Sequence, residues 1–327
     1  MSEPNVSEEV LSEQPKGRVR RRGRRKYVKY SPLSLVLLAI CGFVFAFSVF
    51  GLLEQPILDY AGRIQIEGFG FGSLFETPDE DDKGCLTPSR EPVDGSKWQE
   101  ISPSQINKEN LPFLQKIDFS ILEQQNSETV AWMYWPTTID VDGLPFNLPA
   151  VQTSDNDYYL NHSFDHSTSA NGWLYADYRC NMENLESSRN TVLYAHARTY
   201  QMFGGLRFLN KEVAWQKDGN NHFIYINTPN ERTVWQLFSW YETTTEFNYI
   251  KTNFASDIEY LAFLHTLQNN NTIPYFEKIE FTPKSRILTL STCKGVNSNA
   301  RIALHAVLVK HEWLPGKGPG AEMGAWD

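Results

Sequence analysis

Between Val130 and Val309 the chain carries eight short runs rich in β-branched and aromatic residues, each bounded by turn residues. They read VAWMYW, LPAVQT, NGWLYADY, NTVLYAH, HFIYINT, TVWQLFSWYE, RILTLST and RIALHAVLV. Strands at this spacing, without a helix between each pair, argue against βαβ units and for a barrel or sandwich. Two helical interruptions are expected. One lies around QMFGGLRFLNKE. The other is SDIEYLAFLHTLQNN, where Ser256 can cap a helix carrying Ile258, Leu261, Leu264 and Leu267. Ahead of the first strand, residues 102–126 suggest one or two short helices, with Leu111, Leu114, Ile117 and Ile121 near helical spacing.

The fold is mostly β, but one helix must precede it. Leu33–Leu53 is a run of 21 residues without a charged side chain. As a helix it would span about 30 Å, the hydrocarbon thickness of a bilayer. Residues 1–30 hold nine Lys/Arg against four Glu, and the remaining 297 residues hold 21 basic and 35 acidic groups. The positive-inside bias therefore predicts a cytoplasmic N-terminus and a single-pass anchor in the cell membrane. Three other readings fit less well. A cleaved signal peptide would have a shorter apolar region and a small-residue site after it. A mitochondrial transit peptide would lack the early glutamates. A nuclear-localisation reading of RVRRRGRRK does not explain why it abuts a span.

These signals divide the chain into a basic cytoplasmic tail (1–32), a membrane helix (33–53), a juxtamembrane and acidic linker (54–104) and a compact external domain (105–327). Residues 76–104 are acidic, hold four prolines and lack periodicity, so they are expected to form no core. The acidic balance outside the tail argues against nucleic acid as a partner. No phosphate-cradling glycine loop, zinc pattern or EF-hand is present, so no cofactor and no metal is expected.

The chemistry-bearing residues cluster at strand ends. RILTLSTC ends at Cys293, seven residues follow, and the next strand opens at Arg301. In an antiparallel hairpin the last residue of one strand faces the first of the next, with Cβ atoms about 5 Å apart. This brings a guanidinium beside a thiol, where positive charge favours the nucleophilic thiolate and can steady an oxyanion. Of the seven histidines, His196 ends an apolar strand and begins a loop, a rim position like that of Cys293. His305 lies within the last strand and reads as a packed histidine, and His265 sits in the expected helix. His162 and His166 have the HxxxH spacing of metal ligands, but no third ligand accompanies them. A lone strand cysteine is more often a small buried hydrophobe, and an arginine opening a strand is more often a surface residue. Spacing alone leaves those readings open.

Longer blocks narrow the choice. LTLSTC with an Arg eight residues on resembles the TLxTC…R signature of sortases, the cysteine transpeptidases of Gram-positive cell surfaces. TVLYAHARTYQMFGGLRFL resembles the YGH segment and following MF-x-x-L helix of class B. VAWMYWPTTIDVDGLPFNLPAVQTSDNDYYLNHSFD and GWLYADYR are similar to class B blocks in the same order. The resemblance covers roughly Ile117 to Lys310. It implies a sortase-like closed eight-stranded β-barrel with short helices behind an N-terminal anchor. By position it implies Cys293 as nucleophile, His196 as proton carrier and Arg301 as substrate and oxyanion holder. Ser291 and Thr292 match the residues before the nucleophile and are expected to bind substrate. Asp177 of the DYR block and Tyr194 of the YAH segment are read as structural support.

The resemblance also implies partners: secreted proteins with a C-terminal sorting signal, and an amine acceptor from a peptidoglycan precursor or a pilin lysine. A thiol hydrolase with the same triad, and a non-catalytic surface binding module, are the alternative readings. The chain departs from the family pattern in three places. Ala195 stands where Gly often precedes the histidine, Cys180 where Asn is common, and the Cys293–Arg301 loop is short. Cys85 has no counterpart; it and Cys180 could pair in an oxidising exterior or remain as thiols.

Overall fold

The β-rich runs become eight strands: β1 (Thr129–Trp135), β2 (Phe146–Val151), β3 (Tyr175–Ala176), β4 (Asn190–Tyr194), β5 (Phe223–Asn227), β6 (Glu231–Thr244), β7 (Ile287–Cys293) and β8 (Ala300–Trp313). They close into a barrel in the order β1-β2-β3-β4-β7-β8-β6-β5. The computed structural model describes residues 31–69, 71, 74, 82–89, 91–137, 145–198, 202–293 and 299–319. The basic tail 1–30 and the segment 294–298 lie outside the described residues.

Two pairings are parallel, β2 with β3 and β4 with β7. The second matters for the site. It needs a long connection, and the chain between β4 and β7 supplies β5, β6 and helix α4 (Asp257–Asn269). The barrel is filled with large side chains; Trp132, Trp135, Trp173, Trp215, Trp235 and Trp240 are all fully buried. On β6, β7 and β8, Leu237, Leu288, Leu290, Ile302 and Leu304 join the main core. The alternate positions Phe238, Tyr241, Ile287, Ala303 and Val307 pack in a second cluster with α4.

Ser256 caps α4 as expected, its Oγ accepting from Glu259 N at 3.1 Å. The buried face is Tyr260, Leu264 and Leu267, whereas Ile258 is 81% exposed. The expected series stepped by three residues. Each such step falls about 60° short of a full turn at 100° per residue, so Ile258 ends up roughly opposite Leu267. Around QMFGGLRFLNKE the chain forms a 3-10 turn, Phe203–Phe208, followed by the short helix α3 (Val213–Lys217). Ahead of β1, Leu114 and Leu122 are buried, the latter on helix α2 (Phe119–Gln125).

Residues 82–89 and 91–104 depart from the expectation of a coreless linker. Asp82 pairs with Arg232 at 3.0 Å, both side chains almost wholly buried. Leu86 bridges to Leu114, and the Asp218 carboxylate accepts from Gln99 N at 2.8 Å. Phe71, further upstream, is 2% exposed and packs edge-on against Trp132 and Phe164. The low hydropathy of the stretch hid these contacts because single apolar and charged residues, not a periodic face, make them.

Two units divide the chain, Met1–Leu52 and Leu53–Asp327. The described part of the first is helical. Helix α1 runs Pro32–Gly68, past the expected end at 53. Its stretch Pro32–Val49 has no charged residue and none of its residues is buried. Among the described residues it is the one helix long and apolar enough to cross a membrane.

Candidate active site

Strand register builds the site. β4 and β7 run parallel with Asn190 opposite Ile287 and Tyr194 opposite Ser291. Two residues further on, that register sets His196 level with Cys293. Thr292 secures the extension: its Oγ1 donates to the Ala195 carbonyl at 2.7 Å. On the other side β7 pairs antiparallel with β8, and Cys293 stands opposite Arg301. Three adjacent strands therefore bring imidazole, thiol and guanidinium side by side, the thiol in the middle. All three line a groove of about 380 Å³.

His196 is fixed through its backbone surroundings. Its Nε2 donates to the Leu160 carbonyl at 2.8 Å. That bond selects the tautomer with the proton on Nε2 and leaves Nδ1 as the basic nitrogen. Burial pushes the imidazole below its ordinary pKa, the Leu160 carbonyl opposes that, and the Arg198 charge adds to it. Gly172 makes the Leu160 contact possible. It adopts φ +57°, and a Cβ there would lie 2.4 Å from Tyr159 O, 3.0 Å from Leu160 O and 3.0 Å from His196 Cδ2.

Asp177 sits near this site but serves another partner. Its carboxylate accepts from Arg179 Nε at 2.8 Å and Nη2 at 2.6 Å, from Tyr194 Oη at 2.8 Å and from Asn156 Nδ2 at 3.0 Å. Burial raises the Asp177 pKa, but the Arg179 contacts and the Tyr194 hydroxyl outweigh it and hold the group below the ordinary carboxylate range. Burial, then the Asp177 charge, pushes Tyr194 upward.

Ser291 shares the Cys293 face of β7 and its Oγ lies 2.8 Å from Tyr249 Oη. Thr292 also lines the groove, yet its hydroxyl is committed to Ala195. Sequence reasoning missed the far wall of the groove, Phe247 to Ile250. These residues lie in an irregular connection after β6, where no periodicity marks them. Leu160 and Asn156 lay in a block already singled out, but a backbone acceptor leaves no trace in side-chain chemistry. The remaining histidines have other settings. His162 Nδ1 meets Tyr158 O at 2.8 Å, and His166 Nδ1 meets Tyr158 Oη at 3.2 Å. His305 is buried. Cys85 and Cys180 are separate free thiols.

No family model matches the chain. Sortase B of Staphylococcus aureus is 32% identical over 195 residues, which is 59% of this chain and 75% of that protein. The chain belongs to the sortase B family. Sortase B of Listeria monocytogenes is 32% identical over 174 residues, 53% of this chain and 65% of that one. The crystal structure of S. aureus sortase B matches 59% of this chain and 86% of its own at TM-score 0.51 and 32% identity. That of Clostridium perfringens sortase B matches 59% and 100% at TM-score 0.51 and 25% identity. As a member of the sortase B family the chain is a cysteine transpeptidase, and the closed barrel is the family fold.

Proposed function

We propose that Cys293, His196 and Arg301 are the catalytic residues, and that their substrate is the C-terminal sorting signal of a secreted protein. The observation carrying this is the β4–β7–β8 register that aligns all three. Sγ of Cys293 attacks the carbonyl carbon of a Thr in the motif, and the thiol proton passes to Nδ1 of His196. The Arg301 guanidinium steadies the oxyanion. The C–N bond then breaks, the imidazolium returns its proton to the leaving amine, and a thioester remains on Cys293. An incoming amine attacks that thioester, loses its proton to His196, and forms a new amide as the thiol is restored. A neutral imidazole before attack suits this role, and burial favours that form of His196.

The acceptor in this reading is an amine of a peptidoglycan precursor or a pilin lysine. Structures of S. aureus sortase B with a substrate and of sortase B with triglycine support a peptide donor and an amine acceptor. Ser291 lines the groove as a substrate contact, with Thr292 holding the His196 strand beside it. Residues 33–53 form a single-pass anchor, the tail 1–32 stays in the cytoplasm, and 105–327 form the external catalytic domain. The uncharged stretch Pro32–Val49 and the basic cluster before it support that topology. Residues 54–104 connect the two, with contacts of Asp82, Leu86 and Gln99 tying the end of this stretch to the barrel domain.

The test uses the full chain in detergent with a fluorogenic peptide pool randomised around a fixed Thr, with and without triglycine. Cys293-dependent cleavage with triglycine joined to the product is expected. Free acid alone, whatever amine is offered, would indicate a hydrolase. No cleavage, with Cys293 inert to a thiol reagent, would leave a binding module.

A further inference from the structure

The segment Tyr249–Lys251, whose first two residues line the groove, has no helix or strand to hold it, yet three successive carbonyls are gripped by side chains. Asn190 Nδ2 donates to Lys251 O at 3.0 Å and to Tyr249 O at 3.4 Å. Arg179 Nη2 donates to Ile250 O at 3.3 Å. Both grips are backed by polar chains. Arg179 is itself fixed on buried Asp177 by two bonds. Asn190 ends a buried series that crosses the sheet. Its Oδ1 accepts from Thr289 Oγ1 at 2.7 Å. Thr289 Oγ1 lies 2.9 Å from His305 Nδ1, and His305 Nε2 lies 3.0 Å from Tyr241 Oη.

Only one proton arrangement satisfies this series. The Asn190 amide nitrogen must face the wall carbonyls, so its oxygen faces Thr289. The Thr289 hydroxyl spends its proton there and must accept from His305 Nδ1–H. His305 Nε2 then accepts from the Tyr241 hydroxyl. Burial lowers the His305 pKa to about 3, so the ring stays neutral and the direction is fixed. Asn190, Thr289 and His305 are completely buried. Thr289, Ser291 and Cys293 alternate onto one face of β7, and Ser291 meets the Tyr249 hydroxyl. The face that carries the thiol thus meets the wall directly at Ser291 and, by way of Asn190, at Thr289.

We propose that the Tyr241–His305–Thr289–Asn190 series and the Asp177–Arg179 pair form a clamp that sets the wall Tyr249–Lys251, making Asn190, Thr289, His305 and Arg179 positioning residues for substrate binding. This rests on the groove being the substrate site. A unique, fully satisfied buried network favours a single wall position, and substrate binding weakens when that position is lost.

Thr289→Val keeps the volume and removes the hydroxyl, and Thr289→Ser restores it. For the pool peptide that the wild-type chain cleaves best, Thr289→Val is expected to raise KM roughly fivefold to tenfold with kcat within about twofold. Thr289→Ser should return KM to near wild type. Arg179→Lys, partly exposed and outside the buried series, should raise KM in the same way. Alkylation of Cys293 by iodoacetamide, followed by mass at its own peptide, should keep its rate. Amide exchange across 249–251 should speed up in both variants, a readout that needs no substrate. A lowered Tm with KM and exchange unchanged would reduce the series to core structure and overturn the clamp. Slowed alkylation together with lost kcat would overturn it too, by moving the damage to the nucleophile. Cleavage that survives Cys293→Ala would instead sink the catalytic assignment, while the exchange result would still judge the clamp.

Discussion

Nε2 of His196 donates to the backbone carbonyl of Leu160 at 2.8 Å. A backbone oxygen thus performs the orienting task that a carboxylate often performs for a catalytic histidine. The carbonyl reaches the ring because Gly172 occupies the space beneath it in a left-handed conformation. Gly172→Ala inserts a Cβ against Tyr159 O, Leu160 O and the imidazole together. It should lower kcat/KM by about tenfold to a hundredfold, since misplacement near 1 Å has that effect on a reacting group. Peptide cleavage measured beside Tm checks this. A fall in Tm with kcat/KM unchanged would remove Gly172 from the positioning of His196.

Arg301, the second residue of β8, stands opposite Cys293. A guanidinium offers several donors in a rigid plane, whereas an ammonium is a point charge on a flexible stem. Arg301→Lys should therefore keep the charge and still lose about a hundredfold in kcat, as removal of one oxyanion donor does. Arg301→Ala should lose at least as much. Single-turnover acylation of Cys293 is the direct measurement, and equal rates for Arg and Lys would reduce the contribution to charge alone.

The strands and the Cys293–Arg301 pairing were legible because period-two alternation and hairpin spacing are local signals. From spacing the His196–Cys293 neighbourhood was legible only as two rim positions, and it took the family resemblance to join them. Parallel pairing across 92 intervening residues, from Ala195 to Arg286, carries no short-range mark. Tyr249 and Ile250 were illegible for a related reason: distant side chains, Asn190 and Arg179, fix that wall. Helix α4 marks the limit of periodicity. Counting by threes selected Ile258, which is exposed, and missed Tyr260, which is buried. The contrast is measurable. Leu264→Ala should cost about 2–4 kcal/mol, whereas Ile258→Ser should stay within about 0.5 kcal/mol. Comparable losses at both positions in urea unfolding would contradict the packing of α4.

His311 and Glu231 give the fold a pH dependence away from the groove. Glu231 is fully buried; its Oε1 accepts from Leu185 N at 2.6 Å and its Oε2 from His311 Nε2 at 2.6 Å. Glu186 lies 3.7 Å from the same ring, and Glu312 is the next residue along β8. Burial alone would lower the His311 pKa. The Glu231 bond and the charges of Glu186, Glu231 and Glu312 outweigh it and raise the value above 6.5. A folded-state pKa above the unfolded one means that the folded state holds the proton more tightly. The stabilisation is complete below about pH 6.5, the unfolded value, and is lost as pH rises through the folded value. The Tm difference between wild type and His311→Gln should be largest near pH 6 and shrink toward pH 8. The Tm difference should be unaltered when Cys293→Ala is added, because the pair lies on the β6–β8 ladder at Thr233–His311, far along β8 from Arg301. A difference that grows with pH would reverse the sign and show that burial, not the three carboxylates, governs this histidine.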